Sequence, residues 1–410
     1  MADASAGDSH VARNRLWARL SGAVAELDPP PPTPVMVVDL DAFDANAGDL
    51  VRRAAGKPIR LATKSVRVPA LIQRALDTPG FRGVLSYTLR ESLWLERQGI
   101  CDDVVIAYPT VDRAALADLV ASPTSASHIT LMVDDVAQLD VVDSIRSSHA
   151  VRVRVALDID AGLRFGGQHV GPKRSPVHDV EDVVRLARHI AERPGFALVG
   201  VMTYEGQVAG VPDDVPSQRA KSLVVRRLKA ASMTQLAERR RVIAERLSDV
   251  VALEFWNAGG SGSVQATAAD AAVTEIAAGS GLLVPGLFDH YRSFSPRPAA
   301  FYGLPVTRKP SAAMATVHGG GLVASGPVGG DRAPIPWAPP GLHLTSLEGA
   351  GEVQTPLTGH PAALLRVGDL VWFRHAKSGE LFEHTSTVRL LARDRFVDEV
   401  PTYRGCGNAW

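Results

Sequence analysis

The 410-residue sequence holds only two cysteines, Cys101 and Cys406, far apart and without CxxC or metal-type spacing. That excludes a disulfide framework and makes a reducing cytosol the natural compartment. Charge of one sign is missing too: 44 Lys and Arg balance 44 Asp and Glu, with no long basic run. A nucleic-acid or anionic-membrane partner has no electrostatic footprint in such a chain. No stretch reaches the ~18 continuous apolar residues that a membrane helix needs. The opening MADASAGDSHVARN also lacks the apolar core of a signal peptide. The expectation is a soluble, cytoplasmic protein. At this length a single core usually stops growing, so two domains are expected.

Residues 1–33 read as a small polar tail over 1–10, an amphipathic helix over 11–27 and a stiff linker from Pro29 to Pro32. From 34 to 285 short β-rich runs alternate with helical patterns. The runs are Pro58–Thr63, Gly83–Tyr87, Asp103–Ala107, Ile129–Val133, Val151–Asp158, Ala197–Thr203, Val251–Trp256 and Ala272–Ala277. Eight such runs predict an α/β fold, a closed (β/α)8 TIM-type barrel. A doubly wound open sheet is the competitor, but no GxGxxG follows the first run. After Pro285 the long helical patterns vanish and Gly and Pro become frequent, which predicts a C-terminal all-β domain over 286–410.

In a (β/α)8 barrel the active site lies at the C-terminal ends of the strands. The first run ends in IRLATKSVRVP, which sets Lys64 in the barrel mouth, where partial desolvation suits an amine nucleophile. The seventh run leads into NAGGSGS, whose Gly259, Gly260 and Gly262 free the backbone to wrap an anion while Ser261 adds a hydroxyl. The eighth ends in AGSG, with Gly279 and Ser280. Barrel phosphate sites are typically built from these two loops. The fifth run ends in LDIDAGLRFGGQ, where Arg164 either fixes a phenolate or carboxylate or pairs with Asp160 across the loop. After the sixth run, Tyr204 either faces a flat cofactor ring or packs on the rim.

These signatures in this order resemble the fold-type III pyridoxal-phosphate (PLP) enzymes, which join an alanine-racemase-like barrel to a C-terminal β-domain. The likeness is greatest to the D-threonine aldolase and D-serine dehydratase branch. It rests on Lys64 with Arg67 and Pro69 behind it, Asp160, Gly162 and Arg164 in the fifth loop, and Tyr204 with Gly206 after the sixth strand. The Ala258–Ser263 loop and the Glu275, Gly279, Ser280 element complete it. The stretch TPVMVVDLDAFDANAGDL is similar to that group's entry into the barrel.

The resemblance implies that Lys64 holds PLP as a Schiff base and moves protons at the substrate Cα. Gly259, Gly260, Ser261, Gly262, Gly279 and Ser280 would cradle the phosphate, with Arg164 facing the ring phenolate or substrate carboxylate and Tyr204 the ring. Glu275 either sits at the pyridine nitrogen or is a buried strand residue paired to Arg. Ala277 stands where alanine racemases typically carry Arg. A His-x-Cys metal pair of the aldolase and dehydratase branch has become His375-Ala376-Lys377. An ammonium has no lone pair for a metal, so a divalent ion is expected to be absent, with His375 and Lys377 taking active-site roles. Glu380, Glu383 and His384 are either a rebuilt site around His375 or solvated hairpin residues, and for the two glutamates solvation is the expectation.

The leading expectation is a PLP-dependent lyase, an aldolase or dehydratase, acting on a β-hydroxy D-amino acid. An amino-acid racemase is the alternative, with Tyr302 or His318 of the β-domain as its second acid/base, in its own site or reaching that of a partner subunit. A non-catalytic PLP-binding protein is the third, against which the β-domain weighs. The resemblance also implies a homodimer acting on a small amino acid.

Overall fold

The computed structural model describes residues 2–294 and 297–410. Among these, eight parallel strands close into a barrel in the order Ile59–Ala62, Phe81–Ser86, Val104–Ile106, Ile129–Val133, Val153–Asp158, Phe196–Thr203, Phe255–Ala258 and Glu275–Ala278. Each overlaps an expected run, the fifth, seventh and eighth beginning later than expected and the seventh sharing only Phe255 and Trp256 with its run. They are called strands one to eight below.

Alternation along each strand gives the barrel two apolar faces. Leu85, Val105, Met132, Ala156, Val199 and Phe255 fill the interior. Their neighbours Val84, Val104, Leu131 and Val155 point outward to the helices. The helices begin where local chemistry says they should: Pro69 opens one at its first position, Thr88 and Asp112 cap two others, and Asp135 forms a capping box with Gln138.

A second, mostly antiparallel sheet of nine strands among the described residues lies beside the barrel. Its central strand is not C-terminal. Val35–Asp39 pairs antiparallel with Ala300–Ser311 and parallel with Thr387–Ala392. The sequence reading assigned this run to the barrel entry. The run is buried throughout, as an inner strand of a covered sheet must be. The helix after it, Leu40–Arg53, then leads to strand one. The first helix spans Ala2–Ala25, so residues 2–10, expected as a disordered tail, continue that helix. No helix of the described residues is long and apolar enough to cross a membrane.

The sheet domain is pressed against the end of strand one. Gly379, at φ +84°, comes so close to the Lys64 carbonyl oxygen that any Cβ would collide with it. Arg67 reaches Glu383 at 2.7 Å, and Arg404 grips the other oxygen of the same carboxylate at 2.7 Å. Glu383 is thus a tie between domains rather than a solvated hairpin residue. Behind it, the Tyr403 hydroxyl donates to fully buried Glu91 at 2.7 Å, and the Tyr87 N–H donates to the other oxygen at 2.8 Å. Burial pushes Glu91 up to about 7, against the pull of its donors.

Replacing Tyr403 with Phe removes a donor from this buried carboxylate and is expected to cost about 1–3 kcal/mol in urea denaturation. A loss below ~0.5 kcal/mol, the scale of an indifferent surface change, would contradict the tie. Because the Glu91 pKa is raised from 4.5 to about 7, its contribution to stability is fully present below pH 4.5. That contribution declines as the pH rises to about 7.

Candidate active site

The C-terminal ends of the barrel strands and one edge of the sheet domain enclose a cavity of about 330 Å³. Lys64 lies on a short turn, Thr63–Ser65, directly after strand one, and its Nζ lies 2.8 Å from the Tyr108 hydroxyl. Tyr108 follows strand three, and the sequence reading passed over it. Burial raises its phenol, but Lys64 and Arg174 outweigh burial, so the net shift is downward. A phenol lowered beside an ammonium makes a close pair for proton exchange.

Asp158, at the end of strand five, also lines the cavity. Burial, Asp134 and Asp160 push it up to about 7, with Arg174 opposing them. It therefore changes charge near neutral pH.

The loops after strands seven and eight meet at the cavity through Gly259, Gly260, Ser261, Gly279 and Ser280. Glycine at 279 is required, since a Cβ would strike the Ala62 carbonyl oxygen; at 260 a Cβ would stand 2.8 Å from that of Ala209. Not every donor expected there is turned to the cavity. The Gly259 N–H donates inward to Glu205 at 3.2 Å, and the Gly260 N–H to the Ser263 hydroxyl at 3.1 Å. Ser261 accepts from the Gly281 N–H at 2.9 Å. Ser280 and Ser65 pair hydroxyl to hydroxyl at 3.0 Å, and Ser378 of the sheet domain also lines this end. Gly262 is not part of the lining; it packs under the ring of Tyr291.

Glu205 anchors the seventh loop from below. It is fully buried and receives Arg240 at 2.9 Å, the Ser263 hydroxyl at 3.0 Å and the Thr267 hydroxyl. Arg240, also fully buried, pairs with Asp270 at 3.0 Å. The sequence reading singled out neither residue: Arg240 lies inside a long helical pattern and Glu205 in the loop after strand six, and nothing local marks either as buried.

Several expected residues stand elsewhere. Arg164 is not in the cavity. The glycine-bracketed turn is the tip of a hairpin, Leu163–Phe165 against Gln168–Val170, which carries Arg164 to the surface. There it is 3.8 Å from both Asp160 and Asp179. Arg174 lines the cavity instead, its guanidinium 5.7 and 5.8 Å from the Tyr108 and Tyr204 rings. Tyr204 is itself in the lining, its hydroxyl raised by burial. Glu275 follows the second of its two expected roles: it holds Arg60 at 2.6 and 2.8 Å and Asn257 at 2.9 Å, outside the lining.

In the sheet domain the expected pair separates. Lys377 lines the cavity, paired to Glu380 at 3.0 Å and to the Ser325 hydroxyl at 2.6 Å, so Glu380 is an ion-pair partner rather than a solvated residue. His375 is buried outside the lining, with neither ring nitrogen hydrogen-bonded among the described residues, and burial beside Arg374 lowers its pKa to about 3. His384 is exposed. Of the racemase candidates, Tyr302 is fully buried against Phe373 and His318 is exposed on its strand; neither lines the cavity.

The cavity suits PLP: an amine for its aldehyde, a glycine and serine cradle that a Cβ would fill, and tyrosines and a guanidinium for its ring. Lys377 offers an ammonium, and among the described residues no group of three or more His, Cys, Asp or Glu could hold an ion.

A family model described as alanine racemase, N-terminal domain, matches residues 38–284. The D-threonine aldolase of Arthrobacter sp. is 27% identical over 258 residues, 62% of this chain and 62% of that protein. The 3-hydroxy-D-aspartate aldolase of Paracoccus denitrificans (strain Pd 1222) is 26% identical over 236 residues, 56% of this chain and 55% of that protein. The chain thus matches little more than half the length of these curated relatives. The crystal structure of D-threonine aldolase from Filomicrobium marinum superposes with a TM-score of 0.75 at 21% identity, covering 92% of this chain and 96% of that one, a likeness of fold. With more than half of its residues inside the matching model, this chain belongs to the family of the alanine racemase N-terminal domain.

Proposed function

We propose that the protein is a PLP-dependent lyase, an aldolase or dehydratase, that acts on a β-hydroxy D-amino acid. The observation that carries this reading is the Lys64 amine, held at 2.8 Å by the Tyr108 hydroxyl inside a cavity floored by the glycine and serine loops. Bound there, PLP supplies an electron sink at the substrate Cα.

The chain's own residues then divide the work. Lys64 carries the cofactor and exchanges a proton at Cα, with Tyr108 orienting the amine and able to take up or return that proton. Ser261, Ser280 and the glycines around them receive the phosphate. Arg174 offers its planar guanidinium to the substrate carboxylate or the ring phenolate, the task expected of Arg164. Tyr204 lies beside the ring, and Lys377 places positive charge near the substrate hydroxyl. His375, buried away from the lining, has no part in this reading.

The racemase alternative needs a second acid/base on the opposite face of the ring; neither Tyr302 nor His318 lines the cavity of its own chain, and Tyr302, fully buried, cannot reach that of a partner. A merely PLP-carrying protein would not need the cavity wall that the sheet domain supplies through Arg332, Lys377 and Ser378. The unpaired cysteines agree with a reducing cytosol, and the homodimer implied by the family likeness belongs to this same reading.

Incubation of the PLP-loaded protein with D-threonine, D-serine and D-3-hydroxyaspartate is expected to release glycine, glyoxylate or a keto acid. Inversion of alanine enantiomers without any cleavage would favour the racemase instead. The reading also expects independence from metal. Elemental analysis should find no stoichiometric zinc, and dialysis against EDTA should leave turnover intact. Activity lost to EDTA and restored by a divalent ion would show that Lys377 has been misread.

A further inference from the structure

Asp158 lines the cavity but is left without a task by the lyase reading. It ends strand five, and strand five stands four places from strand one whichever way the closed barrel is followed. The carboxylate and the Lys64 amine thus belong to opposite walls of the mouth. The Asp158 side chain is half-buried and has neither a hydrogen bond nor an ion pair among the described residues; only its backbone carbonyl is engaged, by the Ser175 hydroxyl at 2.7 Å. The groups around it are already committed. Asp160 accepts from the Gly162 N–H at 2.9 Å and pairs with His169 at 2.9 Å. The Tyr108 hydroxyl is taken up by Lys64 at 2.8 Å, and burial keeps the proton on Tyr204. Arg174, Arg332 and Lys377 are cations with nothing to accept a proton. Burial, then Asp134 after strand four and Asp160, raise Asp158 to about 7 against the pull of Arg174, which makes it a stronger base than an ordinary carboxylate.

We propose that Asp158 is the general base that takes the proton of the substrate's β-hydroxyl as the Cα–Cβ bond breaks, an assignment that rests on the lyase reading in its retro-aldol form. The lyase reading gives Lys64 and Tyr108 the proton at Cα and leaves the hydroxyl proton without a receiver. In the step assigned to Asp158, the O–H bond breaks and its proton passes to the carboxylate. The O–H electron pair becomes the second bond of the departing aldehyde, and the Cα–Cβ pair stays with Cα, where PLP is the electron sink. Lys64, on the facing wall, then returns a proton to Cα to give glycine. Two proton-transfer groups on opposite walls serve two neighbouring carbons without competing for one place.

The test compares the wild-type holoenzyme with Asp158→Asn and Asp158→Glu in two reactions. One is release of glycine from D-threonine. The other is exchange of a glycine Cα hydrogen in deuterium oxide, which involves no hydroxyl. Asp158→Asn lowers kcat for cleavage roughly a hundredfold to ten-thousandfold, the usual contribution of a general base, yet keeps the exchange; Asp158→Glu restores part of the cleavage. A base must be ionised to act, so wild-type kcat/KM for cleavage falls as the pH drops through about 7, and Asp158→Asn loses that limb. A further readout needs neither cofactor nor turnover: in protein with isotopically labelled aspartate carboxyls, one NMR resonance titrates near 7 and is missing from Asp158→Asn. Cleavage that survives in Asp158→Asn, an acid limb that persists there, or no such resonance overturns the assignment. Exchange lost together with cleavage places Asp158 at Cα or in the scaffold and overturns it as well, as does a wild type that forms only a keto acid, although the lyase reading then stands. If the wild type exchanges glycine but turns over no hydroxy amino acid, the lyase reading fails and the assignment falls with it.

Discussion

The buried Arg240 guanidinium is the constraint on which the rest of the mouth depends. It comes from the helix Arg219–Ser248 and joins Glu205, after strand six, to Asp270, before strand eight. It also donates to the Thr203 carbonyl and hydroxyl, both at 2.9 Å. Glu205, held in this way, fixes the seventh loop through Gly259, Ser263 and Thr267. Three charges without solvent access are tolerable only when each is paired and hydrogen-bonded, and breaking such a set by removing one partner costs about 3–5 kcal/mol. The geometry of the seventh loop thus depends on an ion cluster that does not itself line the cavity.

The second constraint is that the site belongs to two domains. Barrel strands supply the amine, the phenols and the cradle, while the sheet domain supplies Arg332, Lys377 and Ser378. Gly379, pressed onto the Lys64 carbonyl, and Glu383, gripped by Arg67 and Arg404, fix one part against the other. Side chains of both domains therefore meet in one cavity, and the sheet-side lining can vary without change to the barrel strands, as expected of sites grafted on a widely used fold.

The barrel was legible because its eight strands are short β-rich runs set between helical patterns, a periodicity that survives without any knowledge of contacts. Lys64 and the two loops were legible for the same reason: strand ends define the mouth. Three things were not. Val35–Asp39 looks like any buried strand, and its neighbours in the sheet lie more than 250 residues away. Arg164 carried a glycine signal that belongs to a hairpin tip, and nothing local marked Arg174 ten residues on. Arg240 and Glu205 carried no local mark, because burial of an ion pair depends on what folds over it. In each case the missing information is a long-range contact, while the legible features are local patterns.

The central claim is that Lys64 is the cofactor lysine, and the most direct measurement is covalent trapping. Protein loaded with PLP should absorb in the visible region, lose that band on borohydride reduction, and yield a pyridoxyl adduct on the peptide that contains Lys64. An adduct on Lys57, or on any other lysine with Lys64 unmodified, would contradict the account.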